Sequence, residues 1–370
     1  MEIKIKKEAF LKGLHLAQSI ADRKSTMPVL ANALIRSEGK DSILCAATDL
    51  RVTVVAEAKA EVLEEGDLSI GAKHLFEIIR NLPSEEIHFT KTANNWAEIK
   101  AGNAQYRVVG MSGKDFPRLP DPGAVTFHEL DAASLLDMIR KTIFSVSSDE
   151  TRRHLNGIYM EWVGSTVRMV STDGHRLSKV EYEVGPGLQM AGEDQGIIIP
   201  RKGVLEMRRL LENVEGTCDM GLQEGNLFVR IGDVCLTIKL VDAQFPPFDQ
   251  VIPKESERKV RVDRMLLLDS LKRMSIMSSE RNGGIRLELK KGQLRITSDN
   301  PDLGEAQEDM GVSYDGTPVT IGFNARYFIE LLSEMGGDEV QLEFNGELDP
   351  GLVRPGKDDG YVGVVMPLRI

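Results

Sequence analysis

The chain has 370 residues, of which 41% are hydrophobic, 28% charged and 5% aromatic, and its formal net charge is −11. That length suits two or three domains with buried cores, and no apolar run approaches the roughly 20 residues that a membrane span needs. The acidic balance weighs against binding to nucleic acid, unless the positive charge is gathered on one face.

The opening stretch MEIKIKKEAF alternates apolar and charged residues and reads as a strand, not as the apolar core of a signal peptide. A helix over about 7–20 follows and carries Lys7 and Lys12, with Arg23 and Lys24 in the loop after it. SILCAATD and RVTVVAEAKA then form a hairpin-like strand pair that turns at Asp49–Arg51. SIGAKHLFEIIRNLP (69–83) is a short strand running into an amphipathic helix. Leu75, Ile78, Ile79 and Leu82 form its apolar stripe, and Lys73, Glu77 and Arg80 lie on the other side. MSGKDFPRLP closes this first third.

The same order then recurs twice. A second helix over about 132–147 carries Arg140 and Lys141, and the loop after it holds Arg152, Arg153 and His154. The strand TVRMVSTD ends in STDGHR, and IIIPRKGVLEMRRLLEN (197–213) is again a strand running into a helix. There Val204, Met207, Leu211 and Val214 face inward, Lys202, Glu206 and Arg209 outward, and Arg208 is adjacent. LVDAQFPPFDQVIP closes the second third. The last third opens with a helix over about 263–277 bearing Lys272 and Arg273, with Arg281 in the loop beyond. QLRITSD reaches Asp299, TIGFNARYFIELLSEMG (320–336) sets Arg326, Glu330 and Ser333 outward, and VVMPLRI ends the chain. Asp49, Asp173 and Asp299 correspond, as do Lys73, Lys202 and Arg326, and Pro117, Pro246 and Pro367. Three α+β domains with antiparallel sheets are expected, near 1–124, 125–253 and 254–370. PRLPDPGA and VIPKESERK serve as exposed linkers.

Asp173 and His175 could form a catalytic pair, but the other two copies keep the aspartate and lack the histidine. The shared aspartate is therefore expected to set a turn by bonding to backbone two residues on. GLVRPGKDD imitates a phosphate loop, yet Asp358 stands where a hydroxyl is needed, and Pro355 removes an N–H. Cys45, Cys218 and Cys235 have no CxxC spacing, and the six histidines are scattered, so no disulfide framework, metal site or cofactor is expected. The cysteine usage fits a reducing cytoplasm.

Both helices of every repeat carry basic residues although the chain is acidic. Charge is therefore segregated, and such helix faces could follow a phosphate backbone. The low aromatic content favours duplex over single-stranded nucleic acid, whose binders rely on stacking platforms.

Taken with ADRKSTMPVL, ATDL, LNGIYME, STDGHRL, IIIPRKG, KLVDAQFP and YVGVVMPLRI, the threefold order resembles the bacterial sliding clamps, the β subunits of replicative DNA polymerase III, over the entire chain. The resemblance implies three clamp domains with helices lining an inner face and sheets outside, in a head-to-tail homodimer closed into a ring around double-stranded DNA. It implies a non-catalytic processivity factor that tethers the replicative polymerase, is handled by a clamp loader and meets other polymerases and repair proteins. The residues facing DNA would be Lys12, Lys24, Lys73, Arg80, Arg140, Lys141, Arg152, Arg153, Lys202, Arg209, Lys272 and Arg326. A peptide pocket between the second and third domains would use Leu155, Thr172, Gly174, His175, Arg176, Leu177, Pro246, Val251, Val364, Met366, Pro367, Leu368 and Arg369. Tyr106 and Val108 would meet Ile276 and Met277 across the dimer contact. Two departures stand out: Gln250 replaces a residue often basic in the family, and the 152–154 loop lacks the family's common aromatics. A hydrolase using Asp173 and His175 and a peptide-binding scaffold that never meets DNA remain as rival readings.

Overall fold

The computed structural model describes residues 1–184, 196–278, 283–357 and 360–369. Arg281 and most of the acidic AGEDQG stretch lie outside the described residues. Among those described, six α-helices punctuate a set of antiparallel strands: α1 Lys7–Ile20, α2 Ala72–Asn81, α3 Ala132–Ile143, α4 Arg201–Leu211, α5 Arg264–Ile276 and α6 Ala325–Glu334. Their order matches the expected two helices per repeat.

Periodicity explains which face each helix buries. Leu75 and Ile79 are fully buried on α2, and Val204, Met207 and Leu211 on α4. Asp263 caps α5 by accepting from Leu266 N at 2.7 Å, and Asn324 caps α6 by accepting from Arg326 N at 2.9 Å. Helix α3 stops at Ile143, short of the expected 147. The residues beyond include Ser145, Val146 and Ser147, which form helix poorly. Ser145 Oγ instead shares a hydrogen bond with Ser178 Oγ at 2.8 Å.

The chain divides into two compact units, Met1–Ala133 with Leu205–Leu240, and Ser134–Val204 with Val241–Ile370. The units differ from the repeats because strands pair across the repeat boundaries. In the first unit, Val52–Glu64 pairs with Ser42–Thr48 on one side and with Val234–Lys239 on the other. That second ladder joins Val52 to Ile238 and Ala56 to Val234, and so welds the first repeat to the last strand of the second. In the second unit, Arg176–Glu183 pairs with Tyr361–Val365 in the corresponding way, from Arg176 opposite Val365 to Val180 opposite Tyr361. Gly351–Pro355 is a strand between Glu339–Phe344 and Tyr361–Val365, which disposes of the phosphate-loop reading.

The turns that feed these ladders are built alike. Asp49 Oδ1 accepts from Arg51 N at 2.9 Å and Val52 N at 2.6 Å. Asp173 Oδ1 accepts from His175 N at 2.9 Å and Arg176 N at 3.0 Å. Thr48 and Thr172 add the same bond, from Leu50 N at 3.0 Å and Gly174 N at 3.1 Å. The residue between is left-handed in both copies, Leu50 at φ 71° and Gly174 at φ 92°. A glycine occupies that conformation without strain, whereas a leucine does not.

The third copy corrects the sequence expectation. Asp299 remains in the strand Gln293–Asn300, and Asn300 sets the turn instead, accepting from Asp302 N at 3.0 Å. The strand runs two residues further here, the turn-setting residue moves by one, and asparagine performs the same local bonding as aspartate.

Asp173→Ala and Asn300→Ala should each lower stability by about 1 kcal/mol, because part-buried N–H groups lose their acceptor. Asp299→Ala should stay within about 0.5 kcal/mol. Urea unfolding of the three variants checks the assignment, and a large loss at Asp299 alone would contradict it.

Candidate nucleic-acid interface and partner groove

The cationic positions do not behave uniformly. Lys12, Lys24, Lys73, Arg80, Arg152, Arg153, Lys202, Arg209, Lys272 and Arg326 are all exposed, and Arg140 is half-buried. Several of them hold a carboxylate nearby: Lys73 with Glu77 at 3.8 Å, Arg152 with Asp149 at 3.5 Å, Lys272 with Asp269 at 3.7 Å and Arg326 with Glu330 at 2.8 Å. Arg80 lies over the Phe76 ring at 5.5 Å. Exposed pairs of this kind are worth only about 0–1 kcal/mol each, so the cations can exchange partners at little cost.

Lys141 is a correction. It is 5% exposed, its ammonium is 2.9 Å from Asp137 Oδ2, and it sits 5.6 Å and 5.4 Å from the Tyr182 and Tyr361 ring centroids. It is held inside the protein and is not available to a phosphate. Glu206 is a second correction, since it was expected on the outer face of α4 but is 8% exposed. Its carboxylate takes Ser19 Oγ of α1 at 3.0 Å and Arg209 Nη1 at 2.7 Å. Burying a carboxylate is tolerated only where such partners satisfy it.

Arg176, expected among the pocket residues, is buried like Leu155, Leu177 and Val364. Its guanidinium binds Asp173 Oδ2 at 3.1 Å, Glu330 Oε2 and the Phe144 carbonyl, and lies 4.6 Å from the Tyr327 ring centroid. It fixes the turn to α6 and to the end of α3. Asp173 thus spends both oxygens on the backbone and on Arg176, and the pairing with His175 that a hydrolase needs is not formed.

The expected pocket residues separate into a base and a rim. Leu155, Leu177 and Val364 belong to one buried cluster with Val170, Ile198, Leu352 and Val362. Thr172 is also buried, and its hydroxyl donates to the Arg176 carbonyl at 2.6 Å. Gly174, His175, Val251 and Arg369 are exposed, and Pro246, Met366, Pro367 and Leu368 are half-buried. Met366 N donates to the His175 carbonyl at 2.8 Å, and Leu368 N to the Gly322 carbonyl at 2.8 Å, so the terminal segment is strapped beside the turn. Sequence reasoning missed Phe245 and Phe248, which complete the buried base. Tyr159 stacks on Phe245 with ring centroids 4.9 Å apart. Burial, then the bond to Glu161, push the Tyr159 hydroxyl up to about 12. Two phenylalanines around adjacent prolines in QFPPF were the available signal.

Among the sheet edges left open within the described residues, two lie where the dimer contact is expected. Ala104–Met111 pairs fully with Trp96–Ala101, but on its other side only Gly110 and Met111 are paired. Gly304–Gly311 pairs only with Gln293–Asn300. Tyr106 is 40% exposed, Val109 61%, Ile276 74% and Leu303 61%, while Val108 and Met277 are half-buried. Open edges with exposed apolar side chains are templates for pairing with another chain.

Models of three families match in succession. The DNA polymerase III beta subunit N-terminal domain covers residues 1–120, its central domain 129–247 and its C-terminal domain 249–369. The chain is 34% identical to a beta sliding clamp of Pseudomonas putida, with all of both chains covered. It is similar to the crystal structure of the DNA polymerase III subunit beta from Pseudomonas aeruginosa, at 32% identity, TM-score 0.94 and full coverage of both chains. A sliding clamp from Bartonella birtlesii bound to griselimycin gives the same identity, TM-score and coverage.

Glu330 makes the Arg176 network sensitive to acid. Burial raises its carboxyl pKa, but the bonds from Arg326 and Arg176 pull harder, and the group ends below its ordinary 4.5. A depressed carboxylate adds stability at pH values above that ordinary value, and the gain is lost as pH falls through the lowered one. The stability advantage of the wild type over Glu330→Gln should therefore be flat above about pH 5 and shrink as pH falls below it. Urea midpoints against pH check this, and an advantage that grew in acid would contradict it.

Proposed function

The chain belongs to the DNA polymerase III beta subunit family, the bacterial sliding clamps and non-catalytic processivity factors, and we propose how its own residues carry out that role. Three clamp domains near 1–124, 125–253 and 254–370 present Lys12, Lys24, Lys73, Arg80, Arg140, Arg152, Arg153, Lys202, Arg209, Lys272 and Arg326 to duplex DNA. The observation that carries this reading is the set of exposed cations on helix faces of a chain whose net charge is −11. Duplex DNA bears one charge per about 1.7 Å of axis whatever its sequence. Contacts to phosphate position a protein without reading bases, so a cationic hole holds DNA and lets it slide.

Retention then comes from topology. The open edges at Ala104–Met111 and Gly304–Gly311 suit a head-to-tail contact between two copies, with Tyr106 and Val108 against Ile276 and Met277. Such a contact buries both edges and closes a ring when the rotation allows. A polymerase bound to the ring meets its primer end at a raised effective concentration without any new DNA contact. The groove over Leu155, Leu177, Val364, Phe245 and Phe248 suits short peptides of polymerases, a clamp loader and repair proteins. The apolar base accepts an anchor side chain, and His175, Gly174 and the 366–369 strap orient the peptide backbone. No helix among the described residues is long and apolar enough to cross a membrane, and the cytoplasm is the compartment this role requires.

Assembled on nicked circular duplex, the protein should remain bound and should run off when the circle is linearised. The variant Arg80→Glu, Lys202→Glu, Arg209→Glu should bind duplex more weakly. Its log affinity against log salt should be shallower by about one unit for each phosphate that is no longer neutralised. Filtration of labelled protein with its DNA measures both, and unchanged retention at low salt would remove the DNA-facing assignment.

Deleting Met366–Ile370 should weaken binding of a polymerase-derived peptide by at least about tenfold, a loss of about 1.4 kcal/mol, while the dimer persists. Calorimetric titration and sedimentation together check this. Normal peptide affinity in the truncated protein would refute the groove.

A further inference from the structure

The boundary of the first and second repeats reproduces the construction of the partner groove. Lys239 N donates to the Arg51 carbonyl at 2.8 Å, and Met366 N donates to the His175 carbonyl at the same distance. Thr53 lies opposite Thr237 where Leu177 lies opposite Val364. Phe116 precedes Pro117 and enters a buried cluster with Leu30, Leu34 and Leu44, as Phe245 precedes Pro246 and enters the cluster with Leu155. Between these parts, within the first unit, lies a cavity of about 770 Å³. Leu34, Leu44, Val55, Phe116, Leu119 and Val234 supply its apolar lining.

The two boundaries differ in charge and in polarity. Leu50 and Val52 replace Gly174 and Arg176, so no arginine is buried beneath this turn. Around the cavity, Arg36 is bound to Glu38 at 2.7 Å, and Arg230 is bound to Asp219 at 2.9 Å and lies over Phe127. In the lining, the four carboxylates of Glu38, Glu57, Asp121 and Asp233 stand against three arginines, Arg36, Arg118 and Arg230, and Glu57, Asp121 and Asp233 are exposed. The rim is therefore acidic around an apolar floor, and a ligand that matches it carries an apolar anchor beside positive charge.

We propose that this cavity is a second docking groove, for an extended segment of a partner protein that places a leucine or phenylalanine between lysines or arginines. The inference rests on the peptide-groove reading above, since it treats that groove as the template. A partner could then hold the clamp at two boundaries with short segments of different charge. Two weak contacts on one chain reinforce each other through effective concentration when the linker spans them.

Cys235 provides a direct readout. It lines the cavity and is half-buried, whereas Cys45 and Cys218 are buried. The probe is a short synthetic peptide with Leu-Phe flanked by lysines, compared with the same peptide flanked by glutamates. Alkylation of Cys235, followed by peptide mapping, should slow roughly tenfold at about ten times the Kd of the lysine peptide. The glutamate peptide should protect less, and Glu57→Arg with Asp233→Arg should remove protection by the lysine peptide. Protection should survive deletion of Met366–Ile370 or, if that variant melts early, an excess of polymerase-derived peptide on the full chain. Absence of protection at millimolar lysine peptide would overturn the second groove. Protection that disappears on the deletion would also overturn it, by assigning the peptide to the terminal groove alone. Failure of the terminal groove shows separately, as unchanged binding of the polymerase-derived peptide to the deletion variant.

Discussion

The structure depends on one repeated constraint: the strand that leaves each Asp turn must find its partner in the last strand of the following repeat. Val52–Glu64 does so with Val234–Lys239, and Arg176–Glu183 with Tyr361–Val365. Everything placed at a boundary follows from the angle and register of that ladder. The turn aspartate fixes where the ladder begins, because its carboxylate satisfies the first two N–H groups that the ladder leaves over. The terminal strap, the prolines after Phe116 and Phe245, and the apolar floors beneath them then lie beside the turn as a consequence.

The same constraint separates two kinds of charge. Apart from Arg209, which is bound to the buried Glu206, cations on the exposed helix faces have loose partners or neighbours that can be exchanged. Those at the boundaries are committed: Arg176 is surrounded by Asp173, Glu330, the Phe144 carbonyl and the Tyr327 ring. A buried arginine with fewer partners would be costly, since its guanidinium cannot shed its charge. Recruitment of Glu330 from α6 therefore ties the second repeat to the third electrostatically as well as through the sheet.

Much of this was legible in the sequence, and the remainder was not for identifiable reasons. Helix faces were readable because period and burial agree at Leu75, Ile79, Met207 and Leu211. The Asp turns were readable because aspartate bonds to its own neighbourhood, and only the third copy deceived, where Asn300 does the same work one residue later. Lys141 misled because it follows Arg140 directly in the sequence, while the tyrosines that enclose it come from strands near 182 and 361. Glu206 misled for the same reason, since its hydroxyl partner Ser19 belongs to another repeat. Long-range partners leave no trace in local periodicity. The family pattern supplied the expected terminal groove, but not Phe245 and Phe248 in the buried cluster beneath it.

Strand pairing across the boundaries also bears on why the repeats share one chain. A solitary repeat would leave unsatisfied, at each end, the ladder that its neighbour now completes. A free fragment of that kind would polymerise or precipitate before it could serve as an independent protein. Tandem linkage in one chain delivers each ladder its partner at a high local concentration, so the two boundary ladders close within the molecule.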